Sequence, residues 1–216
     1  MTSFDPIVLT LALALLGLVP LIFITTTSFM KIAIVLSLVR NALGVQQSPP
    51  NVVLYAMALM LTAFIMAPIG YEVADAVRAD PNATRSASAL VEAAVRGAEP
   101  MRKFLVANSK TDQRDFFIGQ ARRIWPPKMA DQVKHDDLLI AIPAFVVSEL
   151  TAAFEIGFLL FLPFIVIDLV VSNILMAMGM MMVSPTTIAL PLKLFLFVMV
   201  DGWSRLFHGL ILTYRT

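Results

Sequence analysis

Long stretches without charge alternate with short breaks of turn chemistry, and the breaks fall where helices would start or stop. Ile7 to Ile24 is uncharged and follows Asp5–Pro6, which reads as an N-cap with a first-turn proline. A helix of about 20 apolar residues spans a bilayer, and this run is close to that length. A cleaved leader is the rival reading. Against it, no basic residue precedes the run and no small-residue cleavage pattern follows it. Pro20 should kink the helix, and Thr25-Thr26-Thr27-Ser28 marks its end or a bend. The next two runs predict a helical hairpin, Phe29–Gln47 against Val52–Met66, turned at Ser48-Pro49-Pro50-Asn51 and ended by Pro68 and Gly70. Both arms are short for a comfortable span, which suits helices buried in a protein assembly or re-entrant in a membrane.

Residues 71–137 are polar. Asp80-Pro81-Asn82 is a turn, and helices are expected over Ser86–Gly97, Met101–Val106 and Thr111–Ile124. The last has Asp112 and Asp115 near its start and Arg122 and Arg123 near its end, an order that suits the helix dipole. Trp125-Pro126-Pro127 stops it. Leu138–Val171 is again apolar, with breaks expected at Pro143 and Pro163. It leads into a turn near Gly179, and Ser184–Pro185 then opens a return helix to Tyr214 with Pro191 near its start. In that helix Asp201 and Arg205 stand four apart in the order that favours a local ion pair. The pattern is all-α, in three parts: a first helix and hairpin (1–70), a polar helical insert (71–137) and a second hairpin (138–216).

Composition strengthens the membrane reading. Of 216 residues, 59% are hydrophobic and 14% charged, with mean hydropathy +0.84. Soluble domains carry about 25% charged residues. Charge is segregated: Asp5, Lys31 and Arg40 are the only charges before residue 70. Residues 138–216 hold Glu149, Glu155, Asp168, Lys193, Asp201, Arg205 and Arg215, and the insert holds the rest. A net charge of +1 gives no bulk attraction for nucleic acid. Without cysteine there are no disulfides or thiolate metal sites.

Two features carry candidate chemistry. Five of the seven residues from Met176 to Met182 are methionine (176, 178, 180, 181, 182), interrupted by Gly179. Methionine packs against almost any shape, so the cluster either fills an irregular buried turn or forms a soft surface that closes around varied partners. The second feature is the ionisable groups inside apolar helices, which must face a partner charge, a water path or a bundle interior. Glu149 and Lys193 lie on the two arms of the second hairpin. They either pair, within a subunit or between copies, or each meets water or another partner. Glu155 and Asp168 are secondary buried charges, and with Glu149 they offer the carboxylates that a small-solute or proton channel would need. Catalysis has no support: His135 and His208 lack zinc spacing, and no nucleophile elbow, P-loop or dinucleotide fingerprint appears. No cofactor is expected.

TSFMKIAIVLSLVRNALGVQQSPPN (27–51) and IPAFVVSELTAAFEIGFLLFLPFIVIDLVVSNILMAMGMMMVSPTTIALPLKLFLFVMVDGW (142–203) resemble the FliP/SctR family. These are inner-membrane export-apparatus proteins of type III secretion. The insert matches loosely. The absence of a leader pattern looks more like the virulence branch than the flagellar one. The resemblance implies that the protein is not an enzyme. It implies a homopentamer joined to SctS/FliQ-like and SctT/FliR-like proteins, forming a gate largely on the periplasmic side for unfolded substrates. It also implies that Met180, Met181 and Met182 form a pore gasket supported by Met176, Met178 and Gly179, and that Glu149 and Lys193 make inter-subunit contacts.

Overall fold

The computed structural model describes residues 17–45, 48–78, 87–180 and 182–215. Among these the chain is helical throughout, without strands: α1 (Gly17–Thr26), α2 (Phe29–Leu43), α3 (Asn51–Arg78), α4 (Ala87–Asn108), α5 (Thr111–Ile124), α6 (Pro127–Ala130), α7 (Leu138–Ala177), α8 (Pro185–Met199) and α9 (Gly202–Leu212). The expected cap at Asp5–Pro6 and the turn at Asp80-Pro81-Asn82 lie outside the described residues.

Helix α2 is the centre of the packing. Ile32, Val35, Leu36, Val39 and Leu43 repeat at helical spacing, and all five are buried against α3, α7 and the helices after it. The chain enters α2 through a 73° bend. Thr25, Thr26 and Thr27 each return their hydroxyl to a carbonyl one turn back. Such back-bonding bends helices and here replaces continuation of α1. The bend falls at the threonine run, as the sequence suggests. Past α2, the Arg40 guanidinium bonds both Pro49 O (3.2 Å) and Asn51 Oδ1 (2.6 Å), tying the end of one hairpin arm to the start of the other.

Prolines interrupt less than expected. α3 passes through Pro68 and Gly70 to Arg78, α4 joins two expected helices across Gly97 and Pro100, and α7 runs unbroken over 40 residues through Pro143 and Pro163. A proline forfeits one backbone bond within the helix. In an apolar helix, every unpaired polar group of an alternative loop would cost more. At 1.5 Å per residue α7 is roughly 60 Å long, about twice the hydrocarbon thickness of a bilayer. It is therefore too long for a simple perpendicular span.

The return segment breaks where one helix is expected. α8 and α9 meet at 61°, with Asp201 in the left-handed region (φ 53°). Aromatic packing closes the break: the Trp203 ring stands edge-on to Phe197 at 5.2 Å, and a Cβ at Gly202 would lie 2.4 Å from the same Phe197 ring. The expected Asp201–Arg205 ion pair does not form: Asp201 is the left-handed N-cap residue of α9, and no salt bridge joins its carboxylate to Arg205. Only the Arg205 amide reaches Asp201, at its carbonyl (3.1 Å).

The apolar sides of α4 and α5 close against α3 and α7 through Ile69, Phe104, Leu105, Phe145, Ile118 and Ile140. Arg114 staples the α4–α5 turn by donating to Val106 O, Ser109 O and Ser109 Oγ. Where α2 crosses α7, Gly157 is required: a Cβ there would meet Leu38 Cδ1 at 2.2 Å and Leu38 Cβ at 3.2 Å. Gly157→Val is expected to cost about 1–3 kcal/mol by overpacking. Adding Leu38→Ala should return part of it. Thermal melting of the detergent-solubilised protein followed by tryptophan fluorescence measures both.

Candidate functional site

The turn between α7 and α8 is built by one glycine. The Gly179 N–H bonds Met176 O (3.0 Å), the Met180 N–H reaches back to Leu175 O (2.9 Å), and Gly179 has φ 74°. This is a Schellman termination, whose left-handed residue is normally glycine. Ser184 occupies the N-cap position with Pro185 in the first turn of α8, as expected. Its hydroxyl, however, bonds Thr186 Oγ1 (2.7 Å) rather than capping the helix. Val171, Leu175 and Ala189 lock the two arms together just below the turn.

The methionines lie at this tip and are not core filler. Met176, Met178 and Met180 are 55, 66 and 41% exposed and Met182 is wholly exposed. Met181 lies outside the described residues. Within one subunit the buried-turn alternative therefore fails for the four described methionines. A rigid cap holds several soft thioether side chains away from the subunit's own core.

The buried charges find partners far away in sequence. The Lys31 Nζ meets Glu149 Oε1 at 2.9 Å, both almost fully buried. The Tyr214 hydroxyl donates to Glu149 Oε2, and the Lys31 ammonium lies 3.7 Å from the centre of the Tyr214 ring. Burial first, and then the Glu149 carboxylate, push the Tyr214 phenol well above its usual pKa, so it stays a donor. The Tyr214 ring also stacks on Phe104, and the next residue, Arg215, exchanges two hydrogen bonds with Asn108. One node thus joins α2, α4, α7 and the segment after α9. The second pair is Lys193 with Asp168 Oδ2 (2.7 Å), and Lys193 also donates to Ala42 O (3.3 Å) near the C-terminal end of α2. Asp168 Oδ1 is buried with no hydrogen-bond partner among the described residues. Glu155, expected among the buried charges, is instead exposed, where α7 meets the polar insert, and pairs loosely with Lys110 (3.4 Å).

Of the two alternatives for Glu149 and Lys193, the second thus holds within the subunit: each takes a different partner. Neither Lys31 nor Tyr214 is singled out from the sequence, although Lys31 is one of only three charges before residue 70 and so needed a counter-charge. Among the described residues no cluster of three or more acidic, histidine or cysteine side chains could hold a metal ion. Among the described residues two helices are long and apolar enough to cross a membrane, or up to four if each bent pair counts as one. Only 17% of the best membrane-spanning window of α7 is buried within the subunit. This is a membrane protein whose apolar faces are left for other surfaces.

Known proteins carry the same pattern along their length. The FliP family model matches residues 12–210. The chain is 51% identical over 210 residues to Yop proteins translocation protein R of Yersinia pestis, covering 97% of each chain. It is 52% identical over 216 residues to the probable translocation protein y4yL of Sinorhizobium fredii, covering 99% of this chain and 97% of that one. It is 46% identical over 212 residues to the harpin secretion protein HrcR of Erwinia amylovora, covering 98% of each. From the Met-tipped hairpin to the first apolar arms, and with relatives about half identical over nearly the whole length, the chain belongs to the FliP family, among its translocation and virulence-secretion members.

Proposed function

We propose that this protein is a pore subunit of a virulence-type III secretion export gate, in which the Met-rich turn closes the conduit for unfolded protein substrates. Several copies, five on the family pattern, assemble with SctS/FliQ-like and SctT/FliR-like proteins in the bacterial inner membrane, with the pore largely on the periplasmic side. The observation that carries this reading is the tip of the second hairpin, where Met182 is wholly exposed beside the largely exposed Met176, Met178 and Met180. A subunit rarely spends that much apolar surface on a tip unless something covers it. Copies of the same tip meeting at an axis would cover one another. An unfolded substrate presents every side-chain type in turn, so a deformable thioether seal suits it better than a shaped one. The length of α7 and the exposed apolar faces of the subunit fit an assembly that rises out of the bilayer.

A proton or small-solute channel is less well supported. Its carboxylates, Glu149, Glu155 and Asp168, are each already bound to a lysine. Methionine also offers no ion-selective ring. The assembly is tested by the native mass of the detergent-purified complex, expressed with and without the two small hydrophobic partners. Five copies of this chain are expected in the complex. A monomer that neither self-associates nor takes up the partners would contradict the proposal.

A further inference from the structure

Between α2, α7, α8 and α9 lies a crevice of about 560 Å³, opened by the bend between α8 and α9. Its inner wall is Val39, Phe164, Leu206 and Leu210, all buried. Gly209 leaves part of the space: a Cβ there would find nothing within 4 Å. Two further lining side chains, Leu196 and Val200, are apolar and exposed. Only two lining side chains are polar, Arg205 and Thr213. Arg205 is exposed at the edge and has no acidic partner among the described residues.

A guanidinium stays charged at any accessible pH, and beside apolar helices it needs a counter-ion. None of this subunit's described side chains supplies one. A long apolar slot with a single fixed cation at its rim is complementary to an amphiphile with one acyl chain and one anionic head. The planar guanidinium fork matches a phosphate through two parallel hydrogen bonds. We infer that the crevice between α2, α7, α8 and α9 binds an acyl chain of an anionic glycerophospholipid, whose phosphate pairs with Arg205. Bound there, the lipid would fill space between the first hairpin and the return segment and act as part of the subunit's core. The inference needs only that the chain is a membrane protein, and it holds whatever the Met-rich turn does.

The test is native mass spectrometry of the full-length protein, purified in mild detergent with equal amounts of phosphatidylglycerol and phosphatidylethanolamine. The wild type should retain phosphatidylglycerol in preference. A Cβ at Gly209 meets nothing within 4 Å, so Gly209→Leu places side-chain bulk in the crevice and replaces a poor helix former; it should fold while retaining about tenfold less lipid. Should that variant not fold, Ile156→Phe serves as a second filler from the opposite wall. Arg205→Gln should keep an acyl chain but lose the preference for the anionic head, again by about tenfold. Equal retention of the two lipids by the wild type, or undiminished phosphatidylglycerol in a folded crevice-filling variant, would overturn the inference. So would a filling variant that blocks association between copies while lipid retention stays unchanged, since the occupant would then be protein.

Discussion

Lys31→Met is expected to destabilise the subunit by about 3–5 kcal/mol, because it leaves the Glu149 carboxylate buried without its counter-charge. The loss would be a large share of the roughly 5–15 kcal/mol that separates folded from unfolded in an ordinary protein. The Tyr214 hydroxyl alone cannot compensate a full charge. The expected readouts are a sharply lowered melting temperature in detergent and a loss of assembled complex. Two double variants identify the partner. Glu149→Lys places two ammonium groups together, and adding Lys31→Glu should recover part of the loss. Adding Lys193→Glu instead should not, because Lys193 sits with Asp168 and its reversal would set two carboxylates face to face. A Lys31→Met protein as stable as the wild type would show that the buried pair is dispensable.

Replacing Met180, Met181 and Met182 together with glycine is expected to turn the idle complex from ion-tight to leaky while assembly persists. The turn itself should survive, since its closing bonds come from backbone groups at Leu175, Met176, Gly179 and Met180. What is removed is the thioether mass at the tip. Planar-bilayer recordings of the purified complex measure the effect directly: steady current in the triple variant, near-background current in the wild type. Leucine at the same three positions should close the pore less well than methionine during substrate passage, because a branched chain re-packs less freely. Unchanged conductance in the glycine variant would remove the gasket from the account.

The two sites differ in how far they could be read in advance. The Met-rich hairpin tip is local: Gly179 and Ser184–Pro185 fix its ends within ten residues, and the turn forms there. Thr111–Ile124 is likewise a helix at the stated bounds, because its start, charge order and Trp-Pro-Pro stop all lie within the segment. The prolines mislead in the other direction. Pro68, Pro143 and Pro163 would break exposed helices, yet here they sit in helices held by apolar neighbours. The break at Asp201 stays hidden because it depends on Phe197 and Trp203 meeting across it. The ion pairs are harder still. Lys31 and Glu149 are separated by 118 residues, and nothing in the spacing of either helix says which lysine Glu149 will meet. Position in the sequence marks a buried charge as needing a partner, while only the packing of α2 on α7 chooses it.

The convergence of these tips on one axis is open to a direct measurement. The chain has no cysteine, so Met182→Cys introduces a single thiol at the most exposed point of the turn. In the assembled complex mild oxidation should join copies of the chain through that thiol, since a disulfide forms only when the Cα atoms come within about 7 Å. A short bis-maleimide should likewise trap dimers, the largest product that one thiol per chain allows. Thiols that stay monomeric under both treatments, while reacting freely with a bulky maleimide, would place the tips apart on an outer surface and contradict the account.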